Sequence, residues 1–214
     1  MFGDMFHQDI YDYETQKHTI SEGKEIEVNC IVDENGFIDV CVSQTVWSAS
    51  IHLARWIVER APQFKELNVI ELGSGTGLMG ISVKKFAEMK SMMLTDGDEA
   101  SVTLMEKNLK LNGNPVCEMS VLPWGPLDEK FSDENYDLVI CSDVIYSKES
   151  LPLLIHTIAQ LLEKSGGECL IANHKIRFDN LEATFVEQCA KFNLNIDTQE
   201  GLGDGGEIRF RRLN

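Results

Sequence analysis

The 214 residues predict an α/β fold: a mostly parallel sheet with helices on both faces, preceded by an N-terminal β-hairpin. Two observations carry this. From residue 67 onward, short apolar runs alternate with helical patterns, the arrangement that builds parallel sheets. In the first such unit, Val69-Ile70-Glu71-Leu72-Gly73-Ser74-Gly75-Thr76-Gly77-Leu78-Met79-Gly80 passes from an apolar run through an acid and a glycine-rich turn into a helix. Buried parallel strands read as such runs. Glycines let the backbone take positive φ and approach a ligand, and a helix N-terminus aims free N–H groups at the same place. A strand, turn and helix of this kind hold a nucleotide-like ligand at the carboxyl end of a sheet.

Residues 1–20 are polar with scattered aromatics, Phe2, Phe6, Tyr11 and Tyr13. They are expected as a partly disordered extension or as a cover over the ligand site. Residues 24–30 and 37–42 alternate apolar and polar around Asp33-Glu34-Asn35-Gly36, which predicts the antiparallel hairpin. Residues 43–60 predict a helix with Val46, Ala49, Leu53 and Ile57 on one face, closed by Pro62. Strands are then expected over 67–72, 91–95, 116–122, 136–141 and 168–172, and helices over 76–89, 99–111, 151–163 and 181–192. Residues 194–198 and 207–211 read as a closing antiparallel pair. No repeat, low-complexity segment or interdomain linker interrupts the pattern. The expected organisation is an extension with hairpin over 1–42 and one ligand-binding domain over 43–214.

Hydrophobic residues make up 43% and charged residues 25%, an ordinary globular balance. No apolar run approaches the roughly 20 residues of a membrane span, and Met1-Phe2-Gly3-Asp4 lacks the features of a signal peptide. The cysteines at 30, 41, 117, 141, 169 and 189 form no C-x-x-C, and several sit in apolar runs. Buried reduced thiols, and hence a cytoplasmic or nuclear protein, are expected. The net charge of −16 disfavours a nucleic-acid substrate, since a phosphate backbone is repelled. It would steer in a basic segment of a protein partner; the plain alternative is that it only keeps the protein in solution. The sequence carries no oligomer signal, and a monomer is expected.

The strand ends show what the site offers. Leu78 stands where a dinucleotide fingerprint has its third glycine, and the turn lacks the lysine of a P-loop. Asp96 ends the second strand of the domain, where an acid suits the two hydroxyls of a ribose. Asp98 is better placed than Asp96 to cap the following helix. Trp124, held between Pro123 and Gly125, offers a flat face to an adenine ring or covers a sheet edge. Ser142, Asp143 and Tyr146 follow a buried strand and belong at the cleft mouth. The five histidines, 7, 18, 52, 156 and 174, are dispersed, so no metal site is expected. Lys175 and Arg177 follow the last parallel strand and are read as solvated charges, with contact to an acidic substrate as the alternative.

The glutamate before the first glycine and the G-x-G-x-G spacing resemble motif I of the S-adenosylmethionine-dependent methyltransferases. That cofactor carries no phosphate, so the turn need only admit its methionine part closely. Trp47 in Thr45-Val46-Trp47-Ser48-Ala49, the glycine turn, Asp96, Leu122-Pro123-Trp124-Gly125 and Asp143-Val144-Ile145-Tyr146 occur in order. Together they resemble the seven-β-strand protein-lysine methyltransferases with a D-x-x-Y motif, a group that includes enzymes acting on chaperones, calmodulin and elongation factors. The resemblance covers roughly residues 40–175. It implies a Rossmann-like sheet of seven strands, S-adenosylmethionine as cofactor and a protein substrate. By it, Trp47, Glu71, Gly73, Gly75, Thr76, Gly77, Asp96, Trp124 and Ser142 belong to the cofactor site. Asp143 and Tyr146 then stand beside the target lysine, apart from the groups that hold the adenosine. Ser142 stands where the family commonly has alanine.

Attack on a sulfonium methyl needs a neutral amine held in line, so catalysis is expected to be mostly positioning and water exclusion. Asp143 is assigned positioning rather than general-base work, because its charge would oppose deprotonation of lysine. Rival readings are methylation of arginine or a protein terminus, a small-molecule or RNA methyltransferase, a nicotinamide dehydrogenase, and a degenerate scaffold that binds without catalysis. The missing third glycine argues against the dehydrogenase, and the intact cluster against the scaffold.

Overall fold

In a computed structural model, residues 13–31, 42–132, 134–203 and 205–214 are described. The alternating pattern folds into a sheet of order β5-β4-β3-β6-β7-β9-β8. Its strands are β3 (Asn68–Leu72), β4 (Ser91–Asp96), β5 (Glu118–Val121), β6 (Leu138–Ser142), β7 (Glu168–His174), β8 (Ile196–Leu202) and β9 (Ile208–Leu213). β3 to β7 run parallel, while β9 joins β7 antiparallel and β8 joins β9 antiparallel. The chain starts at β3, steps outward to β4 and β5, then returns to β6 on the other side of β3. That reversal opens a crevice beyond the carboxyl ends of β3 and β6.

Strand alternation sends side chains to two cores. Val69, Leu138 and Ile140 face one layer, with α1 (Ser48–Val58), α2 (Leu78–Ala87) and α3 (Glu99–Leu111). Ile70, Leu72, Val139 and Cys141 face the other, with α5 (Leu151–Ser165) and α6 (Lys175–Lys191). The short α4 (Glu129–Ser132) supplies Phe131 to the second core. Trp56 of α1 packs on Phe210 of β9, ring centroids 4.9 Å apart. Cys30, Cys117, Cys141, Cys169 and Cys189 are free, and Cys41 lies outside the described residues.

The N-terminal hairpin forms, with the strand expected over 24–30 present but paired to a different partner. β1 (Tyr13–Ser21) pairs antiparallel with β2 (Lys24–Ile31). The turn at Glu22-Gly23 places Gly23 at φ +70°. Most of the expected partner strand lies in 32–41, outside the described residues. β1 buries only Ile20, so its sequence shows no apolar alternation. Ile26 and Val28 of β2 join the first core. α6 begins at Lys175 rather than at 181, with Phe178 and Phe185 buried on one face. β5 begins two residues late, because Val116 is 83% exposed and pairs with no strand.

Candidate active site

A cavity of about 600 Å³ opens across the tips of β3, β4 and β6. This is within the range of small-molecule sites, roughly 300–1,000 Å³. Its floor is the glycine turn from Gly73 to Thr76, where Gly73 and Gly75 have φ of 68° and 56°, and Gly77, at φ 77°, ends the turn outside the cavity. A Cβ on Gly73 would meet Val144 Cγ1 at 2.8 Å and Trp124 Cζ2 at 3.3 Å. A Cβ on Gly75 would run into the Ser43 carbonyl. The glycines therefore keep open a space that any side chain would close.

Asp96 holds this turn as well as facing the cavity. Its Oδ2 accepts the Gly75 N–H at 2.9 Å and its Oδ1 accepts the Asp98 N–H at 3.0 Å. A carboxylate has about four acceptor positions, so these N–H groups leave capacity for a ligand. Burial raises its pKa above the usual aspartate value, against the pull of these N–H groups. Asp98 caps α3, accepting the Ala100 N–H at 3.0 Å, as its spacing predicted.

Trp124 borders the cavity with its ring against Gly73, its centroid 6.1 Å from that of Tyr146. Thr157 of α5 fixes the tryptophan loop: its hydroxyl accepts the Gly125 N–H at 2.8 Å and donates to the Gly125 carbonyl at 3.1 Å. Tyr146 is 53% exposed at the rim, and partial burial raises its phenol pKa. Trp47, Thr76 and Ser142 also line the cavity.

Asp143 is engaged on every side. It has φ +54°, unusual for a residue other than glycine. Its N–H donates to the Ala172 carbonyl at 2.8 Å. Oδ1 accepts from the His174 N–H at 2.8 Å and from Arg177 Nη2 at 3.0 Å, and Oδ2 accepts from the Ala49 N–H at 3.2 Å. Its side chain is only 1% exposed. Asp143 thus ties the ends of β6 and β7 to the first turn of α1.

Two expected cofactor residues do not line the cavity. Glu71 and Val69 share one strand face, so the Glu71 carboxyl points under the turn, close to Gly80 of α2. Gly77 begins α2 and faces Met105 and Ile81. Both shape the turn from beneath. Conversely, Arg177 is no solvated charge. Its guanidinium lies 4.2 Å from the Trp47 ring centroid, pairs with Asp143 and lines the cavity. Its place three residues past a strand tip was the available signal.

Residues 30–192 match a protein family described as lysine methyltransferase. The chain belongs to the lysine methyltransferase family. It is similar to protein N-lysine methyltransferase METTL21A of Danio rerio, 28% identical over 156 residues, covering 72% of this chain and 70% of the relative. It is 36% identical over 122 residues to EEF1A lysine methyltransferase 3 of Xenopus tropicalis, covering 56% of this chain and 53% of the relative. Protein-lysine N-methyltransferase EFM3 of Saccharomyces cerevisiae is 27% identical over 243 residues, covering 94% of this chain and 70% of the relative. The matches thus span from about half to seven-tenths of these relatives. Among solved structures, magnesium protoporphyrin IX methyltransferase of Synechocystis PCC 6803 with bound SAM shares the fold at TM-score 0.56 and 18% identity, covering 82% of this chain and 80% of that one. Precorrin-6y C5,15-methyltransferase of Geobacter metallireducens does so at TM-score 0.54 and 12% identity, covering 75% and 85%.

The family reading taken from the motifs therefore holds: this chain is an S-adenosylmethionine-dependent protein-lysine methyltransferase. The cavity fits that cofactor. It offers an acid at the β4 tip for a ribose, a glycine floor without room for a Cβ, and an aromatic wall.

Proposed function

We propose that the target lysine enters over the rim at Tyr146, between the Trp124 ring and the Ser142–Asp143 strand end, and that its protein substrate presents a basic segment. When bound, S-adenosylmethionine supplies a methyl carbon whose bond to sulfur breaks as its bond to the lysine nitrogen forms. Asp96 holds the ribose of the adenosine part and the glycine turn admits the methionine part, with Trp47, Thr76 and Ser142 lining the rest of the cofactor cavity. Trp124 packs over Gly73 and Tyr146 walls the slot. A lysine of ordinary pKa, about 10.4, must arrive neutral, and apolar walls that exclude water lower that value. Asp143 offers no free charge to oppose this, because Arg177 and two backbone N–H groups satisfy its carboxylate. It acts by positioning the strand end.

The observation that carries this reading is the half-exposed Tyr146 beside Trp124 at the open side of the cavity. The net charge of −16 supports a basic protein segment over nucleic acid. A monomer working in the cytoplasm or nucleus goes with this reading. The test incubates the protein with methyl-labelled cofactor and cell extract, then identifies the labelled residue by mass spectrometry. Label on a protein lysine is expected. Label confined to arginine, a protein terminus, RNA or a small molecule overturns the slot assignment.

A further inference from the structure

We propose that Arg177 binds the carboxylate of the cofactor's methionine part and selects S-adenosylmethionine over analogues that lack that group. The inference rests on the cavity holding this cofactor. Among the described residues lining the cavity, Arg177 is the single cation, beside three acids, Asp96, Asp98 and Asp143. A zwitterionic ligand entering so acidic a site needs one cation for its carboxylate.

Position agrees. Asp96 ends β4, Gly73 follows β3, Asp143 follows β6, and Arg177 lies just past β7. These strands are consecutive neighbours in the sheet. Neighbouring strands lie about 4.8 Å apart, so β4 to β7 spans roughly 14 Å. A ribose at Asp96 therefore directs the methionine part past Gly73 towards Asp143 and Arg177.

The guanidinium is also held ready. Trp47 stacks against it at 4.2 Å and Asp143 takes one Nη2 hydrogen at 3.0 Å. Asp143 shares its charge with the His174 and Ala49 N–H groups, so it does not use up the arginine's cationic capacity. Nε is buried and has no hydrogen-bond partner among the described residues. An arginine carries five donors in a planar fork suited to a carboxylate. A fork whose side-chain acceptor is Asp143, at the wall of a cavity, is completed by a second anion.

The test is calorimetric binding of S-adenosylmethionine and decarboxylated S-adenosylmethionine, which keeps the sulfonium and the amine. The wild-type protein should bind the carboxylated form at least about tenfold more tightly. Arg177→Gln should lose that preference while binding the decarboxylated form about as well as wild type. Arg177→Lys, which keeps charge without the fork, should retain part of it. Circular dichroism establishes folding, and if the Gln variant does not fold, wild type and the Lys variant decide. A wild-type ratio near one overturns the proposal. So does an unchanged ratio in either folded variant, which would make Arg177 a support for Trp47 and Asp143. Failure of the wild type to bind S-adenosylmethionine at all would instead strike the cofactor reading itself.

Discussion

Asn108 joins two distant parts of the molecule. Its Nδ2 donates to the Thr76 carbonyl at 2.9 Å, while its Oδ1 accepts the Asn29 N–H at 2.7 Å. One buried side chain thus fastens the N-terminal hairpin to the cofactor turn. One helical turn on, Asn112 bridges to both backbone groups of Glu27 but not to the turn. A buried polar group left unpaired costs about 1–3 kcal/mol, so Asn108→Ala and Asn112→Ala should each lose at least that much stability. Only Asn108→Ala should also weaken cofactor binding. Urea unfolding and calorimetry on both variants check this; equal affinities would mean that the hairpin does not support the turn.

Asp96→Ala removes the acceptor proposed for the ribose and the brace on the Gly75 N–H together. Charge-assisted hydrogen bonds are worth about 1.5–3 kcal/mol each, so cofactor affinity should fall at least about tenfold. A variant that melts like wild type and binds normally would leave the acid a purely structural part.

Burial pushes the Glu71 carboxyl up to about 8, against hydrogen bonds from Ser74 and the Gly80 N–H. In the unfolded chain glutamate titrates near about 4.3. The folded state therefore holds this proton more tightly. Its contribution to stability is whole below about pH 4 and is lost as the pH rises towards about 8. Glu71→Gln, which cannot ionise, should flatten that decline. Denaturant midpoints at about pH 5.5 and about pH 8 give the slope, and equal slopes in the two proteins would remove Glu71 as its source.

Tyr146 and Asp143 should respond differently. Tyr146→Ala opens the slot wall, and misplacement of about 1 Å can cost on the order of a hundredfold in rate. Cofactor affinity should change only a few-fold, because the residue is half exposed at the rim. Asp143→Ala should instead lose cofactor affinity and stability together, since it frees Arg177 and the start of α1. The expectation that Asp143 stands apart from cofactor binding does not suit its four hydrogen bonds. The loss should be about 1–3 kcal/mol, less than for a fully buried pair, because the Arg177 side chain is 31% exposed. Transfer rates and cofactor affinities on the same folded variants separate the two cases; Asp143→Ala with wild-type affinity would restore the simpler view.

Local pattern alone determined the alternation of strand and helix, the glycine turn, and the strand tips that carry Asp96, Trp124, Ser142 and Asp143. Each of these is written within a dozen residues: an apolar run marks a buried strand, and whatever polar group follows it must sit at the sheet's edge. Tertiary structure alone decided who touches whom. Nothing near Arg177 announces Trp47 or Asp143, and nothing near Asn108 announces Asn29, because those partners meet only once the order β4-β3-β6-β7 is set. β1 was illegible for the same reason, being a mostly exposed strand defined by its pairing with β2 rather than by burial. Glu71 shows the boundary most plainly. Sequence placed it beside the glycine turn, but the two-residue period of a strand turned its side chain to the α2 face, beneath the turn and away from the cofactor cavity.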